Sequence, residues 1–135
     1  VRFDGGYSPG NSPASIDFDG NLAFGTSNLL TMELGGTALG TEYDHLNVAG
    51  NLTFGGDLVV ASINGFSPAW GQSFDLFDFS SSNGTFASVS LPNLGQGLWW
   101  DTSRLYTDGS IQAVPEPASL AALGLGALAL LKRRR

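Results

Sequence analysis

The 135-residue sequence predicts an all-β body. Three observations lead there. Apolar residues before Val114 recur with a period of two, and no apolar 3.6 period runs over ten residues. Strong helix formers are scarce: the chain has one Lys and three Glu. Its 19 glycines gather with Asn, Asp and Ser between the apolar runs, where turns need a positive φ.

The predicted strands follow in order. Ile16, Phe18, Leu22 and Phe24 share one parity, against Asp17, Asp19, Asn21 and Ala23. Leu30, Met32 and Leu34 alternate with Thr31 and Glu33. Leu46 and Val48 alternate with His45 and Asn47, and Leu52 and Phe54 continue that run. Residues 58–63 are apolar on both faces, which predicts a central strand covered on both sides. Residues 74–79 are similar but interrupted by Asp75 and Asp78, and segments 85–91, 98–106 and 110–114 complete the body. The dipeptides Gly35-Gly36, Gly55-Gly56, Asn64-Gly65, Asn83-Gly84 and Asp108-Gly109 mark turns between them.

A weak repeat is visible. Gly20-Asn21-Leu22-Ala23-Phe24-Gly25 matches Gly50-Asn51-Leu52-Thr53-Phe54-Gly55 at a spacing of 30. A period of this size fits one coil of a β-solenoid. Two similar hairpins in a small antiparallel β-sandwich are the other reading.

Charge divides the chain. Charged residues make up 13% of it, against about 25% in an average soluble domain. Nine Asp with Glu33 and Glu42 face only Arg2 and Arg104 in residues 1–114, a net of −9. Such a body repels phosphate backbones, so nucleic acid is not an expected partner. The absence of Cys excludes disulfides and thiolate metal sites. The first residue is Val1, so the chain reads as a fragment or as a protein missing its leader.

The end of the sequence has three pieces. Val114-Pro115-Glu116-Pro117 is a short linker whose prolines fix φ and hold their predecessors extended, so it is expected to be extended and exposed. Residues 118–131, with Ala118, Leu120, Leu123, Leu125, Leu128, Leu130 and Leu131, carry no charge and predict one hydrophobic helix. Lys132, Arg133, Arg134 and Arg135 form a basic stop that the positive-inside rule keeps cytoplasmic. A full span needs about 20 apolar residues, so fourteen suit a transient signal in the lipid bilayer. The expected division is a β-rich body over 1–113, the linker 114–117, the helix 118–131 and the tail 132–135.

Pro115, Glu116 and Pro117, the apolar 118–131 and the basic 132–135 together resemble the PEP-CTERM sorting signal of Gram-negative bacteria. That resemblance implies recognition of Pro115–Pro117 by a membrane-embedded exosortase, with delivery of the body to the cell surface or extracellular matrix. Residues 5–114 are also similar to autotransporter-associated β-strand repeat proteins. The likeness rests on Tyr7-Ser8-Pro9-Gly10-Asn11-Ser12-Pro13, Glu33-Leu34-Gly35-Gly36, Tyr43–Gly50 and Leu105-Tyr106-Thr107-Asp108-Gly109. It implies a right-handed parallel β-helix, here its C-terminal coils, ahead of the hydrophobic helix.

Residues that could carry chemistry are few. His45 is the single histidine, and no G-x-S-x-G nucleophile elbow accompanies it. Adjacent strand residues point to opposite faces, so Asp44 cannot orient His45, which is expected to face solvent. Asp17-Phe18-Asp19-Gly20-Asn21 resembles the start of a calcium loop, but Gly20 arrives at position 4 and Asn28 occupies position 12. The acid pairs Asp75 with Asp78 and Asp101 with Asp108 read as surface carboxylates rather than as a glycosidase pair. Trp99 and Trp100 are adjacent, which turns one inward and leaves the other to stack on a sugar of an extracellular polysaccharide. The sequence therefore predicts no catalytic residue, no metal site and no cofactor. It predicts a non-enzymatic surface protein, with a carbohydrate-binding module as the alternative.

Overall fold

A computed structural model describes residues 1–9 and 13–116. They form eleven strands and, among the described residues, no helix. In chain order these are β1 (Arg2–Phe3), β2 (Ser15–Phe18), β3 (Leu22–Phe24), β4 (Leu29–Leu34), β5 (His45–Phe54) and β6 (Asp57–Ser62). Then follow β7 (Ser73–Asp75), β8 (Phe77–Gly84), β9 (Ser88–Ser90), β10 (Leu98–Asp101) and β11 (Ser110–Pro115).

β5 is the hub. Its first half pairs in parallel with β2, Ser15 opposite His45 and Phe18 opposite Val48. Its second half pairs in parallel with β3, which in turn carries β1. β8 covers the other edge of β5 in parallel, with a register shift between Val48 and Asn51. A second sheet stacks β4, β6 and β9 in parallel. The third sheet is antiparallel, with β11 between β10 and β7.

The repeat is a real pairing device. Gly50 donates its N–H to Gly20 O at 2.9 Å, and Leu22 stands opposite Leu52. Asn21 Oδ1 accepts the Asn51 N–H at 2.8 Å, and Asn51 Nδ2 donates to Asn83 Oδ1 at 2.8 Å. A side-chain ladder thus adds to the backbone ladder across three successive layers. Gly50 is required here, because a Cβ would fall on Asn21 Oδ1.

The parity of the sequence reads through to the core. Leu22, Leu30, Met32, Leu34, Leu46, Leu52, Leu58, Phe74, Leu76 and Phe77 are fully enclosed. Burying each such side chain contributes about 1.5–3 kcal/mol before entropy is counted. Phe54 is an aromatic hub, edge-on to Phe77 at 5.5 Å, Phe86 at 5.2 Å and Tyr106 at 5.0 Å.

Two expectations for the fold are corrected. The described residues are all-β, but they do not form the expected right-handed parallel β-helix. Of the eight strand pairings among them six are parallel, yet the last sheet runs antiparallel. The cause is local: the Arg104–Gly109 turn, with Gly109 at φ +79°, reverses the chain and lays β11 back between β10 and β7. The same six parallel pairs rule out the antiparallel sandwich. The hydrophobic helix expected over 118–131, and the basic stop 132–135, lie outside the described residues. Among those described, no helix is long and apolar enough to cross a membrane.

Smaller departures have clear reasons. β6 buries Leu58 and Val60 while Val59 and Ala61 stay half exposed, so it is covered on one face only. Its apolar outer face follows from parallel pairing with β4 and β9, whose own outer residues flank it. The expected strand over 98–106 ends at Asp101, whose Oδ1 accepts the Ser103 N–H at 2.9 Å and starts the turn.

Candidate functional site

Two places bear on function, and the first is the start of the Pro-Glu-Pro linker. Val114 and Pro115 are strand residues of β11, opposite Trp99 and Leu98 of β10. Glu116 donates its N–H to Gly97 O at 2.9 Å. Pro115 brings no N–H, so the strand ends there without leaving a donor unpaired. The linker is extended as expected, but Val114, Pro115 and Glu116 are half-buried rather than exposed. Pro117 and the membrane residues Ala118 to Leu131 lie outside the described residues.

The tryptophans flank this strand. Trp100 turns inward, edge-on to Phe74 at 5.9 Å, and its indole N–H donates to Pro92 O at 2.8 Å. Trp99 turns outward and is 49% exposed. On the other side of β11, Gly71 donates to Ala113 O, and the neighbouring Trp70 is 71% exposed. Trp70 carries no sequence signal, because only the return of β11 sets its segment and Trp99 on the two sides of one strand.

The decisive observation for the C-terminus is a comparison. Residues 113–135 match the PEP-CTERM protein-sorting motif. No curated protein and no solved structure matches the chain. The expected likeness of the body to autotransporter-associated β-strand repeat proteins finds no support in them. The PEP-CTERM signal makes this an exported, envelope-targeted chain and a substrate of exosortase.

The second place is centred on His45. It was expected to face solvent, yet its side chain is only 5% exposed. The Nδ1 atom shares a hydrogen bond with Ser15 Oγ at 3.0 Å, and Nε2 lies 3.0 Å from Asp78 Oδ2 and 3.8 Å from Asp75 Oδ2. A buried imidazole is tolerated because both ring nitrogens find polar partners. Asp44, on the opposite face, is also buried, but it serves the backbone: its carboxylate accepts the N–H groups of Ala14 and Glu33.

The topology assembles this cluster from four strands. Ser15 opens β2, His45 opens β5, Asp75 closes β7 and Asp78 is the second residue of β8. In one unbroken strand, residues three apart point to opposite faces. The chain bends at Leu76, whose N–H goes to Gly109 O and whose C=O accepts Leu46 N–H. That bend turns Asp75 and Asp78 toward the same imidazole. Asp101 and Asp108 do not join them; each accepts hydrogen bonds two residues on, in its own turn.

Asp75 is held against its charge. Burial first, then a hydrogen bond with Asp78 and the charges of Asp78 and Asp108, push its carboxyl up to about 7. The native state keeps a proton that the unfolded chain has released by about pH 4. The stability from this group is therefore complete below about pH 4 and is lost as pH rises through about 7. Because 37% of the side chain is exposed, the effect is discounted to about 1 kcal/mol. With chelator present, the protein is expected to melt higher at pH 5 than at pH 8, and Asp75→Asn to narrow the gap. Equal gaps in wild type and variant would refute this.

The calcium-loop resemblance has a plain outcome. Asp17 is exposed and its Oδ1 accepts Asn47 Nδ2 at 3.2 Å, while Asn21 is committed to the Asn ladder. These side chains do not converge on one point.

Proposed function

We propose that this exosortase substrate is a non-enzymatic protein of the cell surface or extracellular matrix, displaying a β-rich body. The sorting motif at 113–135 carries the reading. Its first residues, 113–115, are also the last residues of β11, so the motif begins within the described sheet.

The non-enzymatic part is supported by the surroundings of Ser15. Ser15, His45 and Asp78 have the order of an acyl-transfer relay, but such chemistry also needs free N–H donors at an oxyanion position. The backbone N–H of Ala14 is taken by Asp44, and that of His45 by Ala14 O. Gly40 is pressed against Ser15, since a Cβ there would lie 2.9 Å from Ser15 Cβ. Ser15 is placed to hold the imidazole.

Deleting residues 115–135 tests the sorting reading. The truncated chain is expected to remain in the periplasm, with essentially none at the cell surface, as read by fractionation and surface proteolysis. Surface delivery undiminished by the deletion would overturn it.

A second reading, binding of extracellular polysaccharide, is favoured by the outward Trp99 and Trp70 on either side of β11. Stacking on a sugar face is expected to make binding on a glycan array fall at least about tenfold in Trp99→Ala. Hits that survive Trp99→Ala and Trp70→Ala together would remove this reading.

A further inference from the structure

We propose that His45, Asp75 and Asp78 form a binding site for one divalent transition-metal ion of the Zn²⁺ type. The proposal does not depend on the function proposed above. His45 Nε2, one Asp75 oxygen and one Asp78 oxygen all lie within 4.8 Å of one another. Donors bound at about 2.1 Å around a tetrahedral ion stand about 3.4 Å apart. The 3.0 Å and 3.8 Å separations from Nε2 to the two carboxylates bracket that value, and small side-chain rotations would bring the three donors onto one ion.

Two further observations point to a ligand. Of the two Asp75 oxygens, Oδ2 faces the imidazole, while Oδ1 is buried without a hydrogen-bond partner, a costly state for a carboxylate oxygen. Two carboxylates face a single imidazole, and among the described residues no Lys or Arg is paired with them. A divalent cation balances both charges at once. One nitrogen with two oxygens suits Zn²⁺ and its first-row neighbours, whereas Ca²⁺ and Mg²⁺ prefer all-oxygen shells. Asp78 is 51% exposed, so water can complete the coordination from the open side.

The second shell is present as well. When Nε2 gives its lone pair to a metal, Nδ1 must carry the proton, and Ser15 Oγ at 3.0 Å accepts it. Without metal, the same hydroxyl can instead donate to Nδ1. Ser15 is thus a positioning residue that serves both tautomers. Occupancy would tie β5 to β7 and β8 across the bend at Leu76.

The test is calorimetric titration of the full chain in detergent micelles, stripped with chelator, using Zn²⁺ alone and then Ca²⁺ alone. One equivalent of Zn²⁺ is expected to bind, with equimolar Ca²⁺ failing to compete. Asp78→Asn, at a half-exposed position that leaves the core intact, is expected to weaken Zn²⁺ binding at least tenfold. Asp75→Asn should do the same, and Ser15→Ala should weaken it by about tenfold with all three ligands retained. Co²⁺ substitution adds a visible absorption band that should be lost in Asp78→Asn. Circular dichroism establishes that each variant is folded. No saturable Zn²⁺ binding up to about 1 mM, or an affinity unchanged by both Asp variants, would overturn the proposal.

Discussion

Replacing Gly109 by alanine is expected to destabilise the body by about 3–5 kcal/mol. Gly109 sits at φ +79°, a region that costs an L-residue strain. A Cβ there would also fall on the Phe77 carbonyl oxygen and within 2.9 Å of the Phe77 Cβ. Neither neighbour can yield cheaply. Phe77 is fully buried and belongs to β8, which is registered on β5. The Gly109 carbonyl meanwhile accepts the N–H groups of Leu76 and Phe77, so moving the turn breaks those bonds. Most small domains hold only about 5–15 kcal/mol in total, so the loss is a large share. The melting temperature should drop by more than about 10 °C. Gly95→Ala is the control, because a Cβ at Gly95 meets nothing within 4 Å. If the two variants melt alike, the close approach of the turn to β8 is wrong.

The second large effect is expected at Asp44. Its side chain is fully enclosed, and its two oxygens accept the N–H of Ala14 at 2.7 Å and of Glu33 at 2.8 Å. The first ties down the entry to β2 and the second the end of β4, where Asp44 N–H also returns to Glu33 O at 3.0 Å. Burial raises its carboxyl above the ordinary range, opposed by the two N–H donors. Asp44→Ala orphans both donors, each worth about 1–3 kcal/mol, and is expected to cost about 2–4 kcal/mol. Asp44→Asn keeps one acceptor and turns an NH₂ toward the other donor, so it should fall between wild type and alanine. Urea unfolding gives the order directly. An asparagine variant as stable as wild type would show that one of the two bonds is not formed.

How much of this was legible in the sequence depends on range. The parity of Ile16, Phe18, Leu22 and Phe24, and of Leu30, Met32 and Leu34, marked the strands, because side-chain alternation is a local property of extended backbone. The 30-residue repeat marked Asn21 and Asn51, which do stack. The sorting motif was legible outright, being a linear order of prolines, apolar residues and bases that needs no partner in space. The direction of the last sheet was not. Asp108-Gly109 signals a turn, but nothing nearby says which strand β11 will meet after it.

The His45 cluster was illegible for the same reason. Asp75 and Asp78 are three apart, a spacing that separates them in a straight strand, and Ser15 lies 30 residues from His45. Each of the four residues is unremarkable alone, and His45 alternates with buried leucines as an outward residue would. Local chemistry in the chain determined the strands, the turns, the Asn ladder and the C-terminal address. Only the tertiary structure decided that the final sheet would run antiparallel, and that a bend at Leu76 would bring two carboxylates and a serine onto one imidazole. Strand pairing is a contest among distant edges, settled by which surfaces can be buried together.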